Sequence, residues 1–253
     1  MEKNLAIIPA RMESSRFFGK PLKKILGIPM IGHCYERALL SSEIDDVYIS
    51  TPNDEIIDWC NNNKINGVKT SNTHKRAIDR VQESLNFLDP DRNIFQKVLM
   101  IQGDEPQTMP EDCNKILKSI SNEIPISNLI LPIRDGLVED KNIVKAIINK
   151  DNNIFFFSRS RIPFGSTISF RQLGLIAFTT TALDLFSSLK STSHEEIESI
   201  DMMRYVENSI HIKAIFTDRN IVGVDLQKNI KQVEKLMIGD KYFEIYKKKL
   251  FSK

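Results

Sequence analysis

The sequence predicts an α/β fold, doubly wound around a mostly parallel sheet, with a small antiparallel lobe inserted into it. Three observations carry that expectation. Short strand-like runs alternate with longer stretches of helical periodicity over the first 120 residues and again towards the end. The first runs are apolar throughout, as in parallel strands covered on both faces, and not alternately apolar and polar. Between about 126 and 192 the alternation lapses, and strand-like runs follow one another with little helix between them.

Taken in order, Asn4–Ile8 reads as a strand buried on both faces, followed by a loop with Gly and Lys that runs to Lys20. Met30, Ile31, Cys34 and Ala38 recur at helical spacing and predict a helix over 30–40. A second strand is expected over 46–50, then a helix over 54–62 capped by Asn53 or Thr51. Lys97–Ile101 is another buried strand and ends directly in QGDEP. A helix over 110–121 carries Glu111 and Asp112 in its first turn, where the helix dipole favours acids. The runs 126–132, 143–149 and 153–158 form the expected lobe; 193–207 returns to helix, 210–216 to strand, and 228–250 closes as one or two basic helices. With no repeat, low-complexity tract or linker, one domain is expected over 1–253, its lobe around 126–192.

A length of 253 residues suffices to bury a core without disulfides or structural metal. The net charge of only +2 argues against a general nucleic-acid binder. Cys34, Cys60 and Cys113 are widely spaced and form no CxxC or Cys/His cluster, so neither zinc nor a disulfide framework is expected. MEKNLAIIPAR does not read as a leader, and no apolar stretch approaches the roughly 20 residues that span a bilayer. The expectation is a cytoplasmic protein with neither a nucleic-acid nor a membrane partner. His33, His194 and His211 are isolated and read as structural or exposed, and Trp59 reads as packing.

Three motifs stand out. Pro9-Ala10-Arg11 leads through Ser14-Ser15-Arg16 to Gly19-Lys20-Pro21-Leu22, directly after the first strand. Ligands of open α/β sheets bind at that edge, and Arg forks with a Lys point charge suit a triphosphate. Gln102-Gly103-Asp104-Glu105-Pro106 places a carboxylate at another strand end, a natural ligand for Mg²⁺, which takes one or two carboxylates plus phosphate oxygens. Gly223-Val224-Asp225 offers a second lone carboxylate, of interest as a partner for Asp104.

The segments IIPAR…SSR…GKPL, QGDEP, FFFSRSRIPF, QLGL, EEIESIDMMR and VGVD resemble, in order and spacing, the CMP-ketodeoxyoctonate synthetases (3-deoxy-manno-octulosonate cytidylyltransferases) over nearly the whole chain. The acylneuraminate cytidylyltransferases are more distantly similar. The resemblance implies a Rossmann-like nucleotidyltransferase, active as a homodimer with Mg²⁺, that joins CMP from CTP to a small acidic sugar. It implies that Arg11, Arg16 and Lys20 hold the triphosphate, that Gln102 faces nucleotide or sugar, and that Asp104 and Asp225 bind the metal. Arg159 would grip the sugar acid, and Arg80 closes the family's H-x-S-G-T-E/D-R motif.

Departures from the family pattern matter as much. That motif reads His74-Lys75-Arg76-Ala77-Ile78-Asp79-Arg80, bulkier and more basic beside the nucleotide, with Arg76 where the family has Ser. At the sugar-facing positions Gln172 replaces His, Ile176 replaces Tyr, and Asp201-Met202 replaces Glu-Gln. Two lost hydrogen-bonding groups predict an altered acceptor, with Asp201 able to pair with an amine. Other readings stay open on the residues alone: another acid such as a nonulosonate, another nucleotide, or a silent nucleotide-binding paralogue, which would need no metal carboxylates.

Overall fold

The computed structural model describes residues 3–13, 17–134, 136–219 and 221–251, with the side chains of 249–251 excepted. They fall into two compact units, Met1–Asn114 with Ile221–Lys253, and Lys115–Asn220.

The first unit begins with β1 (Lys3–Pro9), the small hairpin β2 (Lys24–Ile25) and β3 (Ile28–Pro29), and α1 (Met30–Ala38). There follow β4 (Asp46–Thr51), α2 (Asp54–Asn62), β5 (Gly67–Lys69), α3 (Ala77–Leu88), β6 (Phe95–Ile101) and α4 (Pro110–Ser119), the last running into the second unit. Its four main strands lie in the order β5-β4-β1-β6, all parallel. Leu5 to Ile8 of β1 are wholly buried, which explains the unbroken apolar run. β1 ends at Pro9, and Ala10 N donates instead to Ser50 O at 2.9 Å.

The second unit contains β7 (Ile126–Arg134), α5 (Gly136–Glu139), β8 (Lys145–Ile148), β9 (Asn153–Ser158), β10 (Ile168–Thr179), α6 (Thr180–Ser188), α7 (Ser193–Glu198), α8 (Met203–Glu207) and β11 (Ile212–Phe216). Its strands run β10-β7-β11-β9-β8, and β10 also pairs β8, so the five pair in a closed cycle without a free end to the ladder. All pairings but β7–β11 are antiparallel. The α/β fold with an antiparallel portion is therefore borne out, with parallel pairing in the first unit and antiparallel pairing in the second except at β7–β11.

The chain then returns to the first unit as α9 (Gln227–Met237) and α10 (Lys241–Phe251). α10 packs on α1 through a buried polar network. His33 Nε2 donates to Ile25 O at 2.8 Å, which leaves Nδ1 to accept from the Tyr246 hydroxyl at 2.8 Å. Arg37, with no exposed surface, donates to Asp240 at 2.7 Å, to Tyr246 and to Thr108 O. His33 is structural, as its isolation suggests, and burial pushes its pKa down to about 4.

One helix expected over 193–207 is instead two. Ser199 adopts a left-handed backbone (φ 55°) that ends α7, and α8 starts afresh at Met203. The buried Glu195 carboxylate holds both arms of Arg204, each at 2.7 Å, across that break.

Candidate active site

The three motifs of the first unit meet at the C-terminal ends of β1 and β6. A cavity of about 330 Å³ is lined by Pro9, Ala10, Arg11, Lys20, Gln102 and Asp104, among others. Arg11 and Lys20 thus face one space, large enough for an extended anion. A smaller cavity of about 130 Å³ shares Pro9, Ala10, Arg11 and Ala77 with it and adds His74, Lys75, Arg76 and Arg80. Arg16 lies outside the described residues.

The loop after β1 is held from both ends. Gly19 N donates to Met12 O at 2.9 Å, and Gly19 takes the positive φ (70°) that lets Lys20 start a short 3₁₀ turn. Asn53, expected as the cap of α2, begins that helix but gives it no side-chain hydrogen bond. Its amide faces the loop instead: Oδ1 accepts from Met12 N and Nδ2 donates to Glu13, each at 3.0 Å. The hydrogen bond from Asn53, helped by Arg11, lowers the Glu13 pKa. Asn53 is a site-supporting residue that sequence reasoning missed, because an Asn before a helix already has a sufficient local explanation.

Lys20 Nζ lies 2.7 Å from Asp104 Oδ2, with both side chains partly accessible. Such a pair contributes only about 1 kcal/mol or less, so a ligand that replaces either partner breaks it readily. Asp104 is placed by its neighbour: a Cβ on Gly103 would lie 3.2 Å from Pro9 O, so a side chain there would push this turn and β1 apart by a few tenths of an ångström. Asp104 O in turn accepts from Val224 N at 2.9 Å, which sets the residue before Asp225 against the metal-site candidate. Asp225 is not itself among the residues lining either cavity. Among the described residues no cluster of three or more metal-ligating side chains occurs.

The His74–Arg80 segment proves to be a helix start. Arg76 is the residue before α3, and Ala77, its first residue, lines both cavities, so the positive end of a 12-residue helix faces them. Ile78 is wholly buried and anchors that end. Arg80, nearly buried, gives Nη1 to Thr70 Oγ1 and Ser71 O, and burial lowers its pKa. His74 Nε2 lies 2.6 Å from Glu83, which also accepts from Ser71 N. Arg80 and His74 therefore tie residues 70–74 to α3 beside the smaller cavity.

The remaining candidates lie in the second unit. Arg159 donates Nε to Glu198 O at 2.9 Å and its two other nitrogens to Lys141 O and Ser199 O at 3.4 Å. All three acceptors are neutral carbonyls. Gln172 gives Nε2 to Asn128 Oδ1 at 2.7 Å, while Asn128 fills the bulge of β10 by donating to Leu173 O and Leu175 O. That bond uses one of the two N–H donors of the Gln172 amide. Asp201 is partly exposed, whereas Ile176 and Met202 are 2% and 1% exposed.

Cys34, Cys60 and Cys113 are buried free thiols whose pKa values burial raises, that of Cys60 to about 12. None is primed as a nucleophile. No helix among the described residues is long and apolar enough to cross a membrane.

Comparison with known proteins places the fold in a family. The chain is 32% identical over 241 residues to the 3-deoxy-manno-octulosonate cytidylyltransferase of Koribacter versatilis, covering 93% of this chain and 90% of that one. It is 33% identical over 236 residues to the 8-amino-3,8-dideoxy-manno-octulosonate cytidylyltransferase of Shewanella frigidimarina, covering 90% and 96%. A solved CMP:2-keto-3-deoxy-manno-octonic acid synthetase, complexed with CTP, superposes with a TM-score of 0.86 at 28% identity over 94% of this chain and all of that one. The family model for cytidylyltransferases matches residues 5–215. On that match and those relatives, the chain belongs to the cytidylyltransferase family.

Proposed function

We propose that the protein transfers CMP from CTP to a 2-keto-3-deoxy sugar acid of the octulosonate type, releasing pyrophosphate. The observation that carries this reading is the single cavity on which Arg11, Lys20, the start of α3 and Asp104 converge. The anomeric hydroxyl gives its proton to solvent and attacks the α-phosphorus of CTP in line; its oxygen–phosphorus bond forms as the bond to pyrophosphate breaks, and pyrophosphate leaves with the electron pair. Positioning and charge neutralisation carry most of such a transfer. Lys20, drawn off Asp104 by the triphosphate, stabilises the leaving pyrophosphate together with Arg11. Arg159 grips the acceptor carboxylate.

The donor set fits Mg²⁺: a partly accessible Asp104, tied through Val224 to Asp225, is the one- or two-carboxylate site that Mg²⁺ completes with phosphate oxygens. Bound there, Mg²⁺ supplies positive charge to the reacting phosphate.

A second reading concerns the acceptor. Ile176 and Met202 offer no hydrogen bond and are buried, while Asp201 carries a carboxylate that suits an amine. An amino-substituted octulosonate fits this set better than the unmodified sugar. Pyrophosphate release from the four nucleoside triphosphates, each with both octulosonates and a nonulosonate, tests both readings. CTP with either octulosonate should turn over. A higher kcat/KM for the unmodified sugar would remove the amine reading, and no turnover with CTP would remove the first. The homodimer is part of this proposal, with the fully exposed Phe164 as apolar surface for the second copy to cover. Sedimentation should give twice the 29.1 kDa of one chain.

A further inference from the structure

The second unit buries a lysine where a strand calls for an apolar residue. Lys145 opens β8, has no exposed surface, and pairs with Ser158 and Arg171 across its two ladders. Its ammonium donates to three backbone carbonyls, Asp140 O and Ile143 O at 2.9 Å and Arg159 O. All three of its N–H donors are thereby used. Burial lowers its pKa, against the pull of Asp140 and Glu139. Taking an ammonium out of water costs several kcal/mol that only full hydrogen bonding offsets, whereas methionine would fill the same space with no charge to desolvate.

What the three carbonyls have in common accounts for the lysine. Asp140 and Ile143 bracket Lys141, whose own carbonyl receives Nη1 of Arg159. The third carbonyl is that of Arg159 itself. One ammonium therefore fixes the Arg159 main chain and one wall of the cradle around its guanidinium. The opposite wall is Glu198 O and Ser199 O, and the Glu198 carboxylate also takes Arg159 N at 2.9 Å and the Ser158 hydroxyl at 2.6 Å.

We propose that Lys145 is a positioning residue for acceptor recognition, holding Arg159 in the orientation that receives the carboxylate of the sugar acid. The proposal rests on the assignment of Arg159 to that carboxylate. A misplacement of about 1 Å at such a clamp costs up to roughly 100-fold. Lys145→Met should therefore raise the KM for the sugar acid about 10- to 100-fold. The Kd for CTP, measured by calorimetry, should stay within about twofold, since CTP is assigned to the first unit. Lys145→Arg, which keeps charge and donors, should recover part of the loss. If Lys145→Met yields no folded protein, Lys145→Gln, which keeps a donor without the charge, should show the same split. An unchanged acceptor KM, a parallel loss of CTP binding, or an arginine variant no better than methionine would each overturn the proposal. Arg159→Lys separates the two assignments. If it leaves the acceptor KM unaltered, the role of Arg159 fails and the role of Lys145 with it. If it raises the acceptor KM while the Lys145 variants do not, only the role of Lys145 fails.

Discussion

Asp104 is bound on one side by a lysine and on the other by the backbone of residue 224, and the two constraints differ in strength. The ion pair with Lys20 is exchangeable, while the position of the carboxylate is built in by Gly103 and Val224. Asp104→Asn keeps the shape and removes the charge, so turnover should fall roughly 1000-fold while the melting temperature stays near that of the parent. Activity within tenfold of the parent at limiting Mg²⁺ would refute the metal-ligand role. Gly103→Ala tests the placement alone. Its methyl would meet Pro9 O at 3.2 Å, the turn must retreat, and kcat should drop about 10- to 100-fold with every charged group intact. That Arg11, Lys20, Gln102 and Asp104 come to one cavity is legible in the sequence, because strand ends fix where such residues meet. Asn53 and Lys145 are not, because each acts on main-chain atoms whose position only the fold supplies.

At the scale of elements, the buried His33 links the hairpin β2–β3, α1 and α10, and it does so as the neutral ring. Its pKa is about 4 in the folded chain against 6.5 in the unfolded one. Between those values the unfolded chain takes up a proton that the native state refuses, so stability is lost as the pH falls from 6.5 to 4. The loss amounts to roughly 3 kcal/mol. Urea unfolding at pH 7 and pH 4 should show it in the parent and not in His33→Gln, and equal pH dependence in both would contradict it. The strands β1, β4, β6, β7, β9 and β11 and the helices α1, α2 and α4 all fall close to the expected ranges, because each is a clean run of one periodicity. β10 was not visible. Its bulge between Gln172 and Ile176 shifts the two-residue period midway, so neither half reads as part of a 12-residue strand. The motif His74–Arg80 spans the start of α3, and its chemistry masks the helix signal there.

For the molecule as a whole, a ligand that binds only the folded chain adds stability by mass action. CTP at 100 times its Kd should contribute about 2.7 kcal/mol and raise the melting temperature by roughly 5–10 °C. The same concentration of ATP should do less, and equal shifts would mean that the site reads the triphosphate and not the base. Hydrogen exchange should place the CTP protection on residues 9–20, 74–80 and 102–104 of the first unit. That the fold class was legible, while the split at 114/115 and 220/221 was not, has a physical source: α4 runs through the first boundary without a Pro/Gly-rich linker.

The first unit is discontinuous in sequence, and the order in which a ribosome delivers the chain gives that fact a consequence. Arg37 and Asp240 are 203 positions apart, so at the usual rates of synthesis the guanidinium waits about 10–40 s for its carboxylate. The second unit, contiguous from 115 to 220, emerges entire within that interval. During translation the hairpin β2–β3 and α1 are therefore made early and covered last, when α9 and α10 leave the exit tunnel.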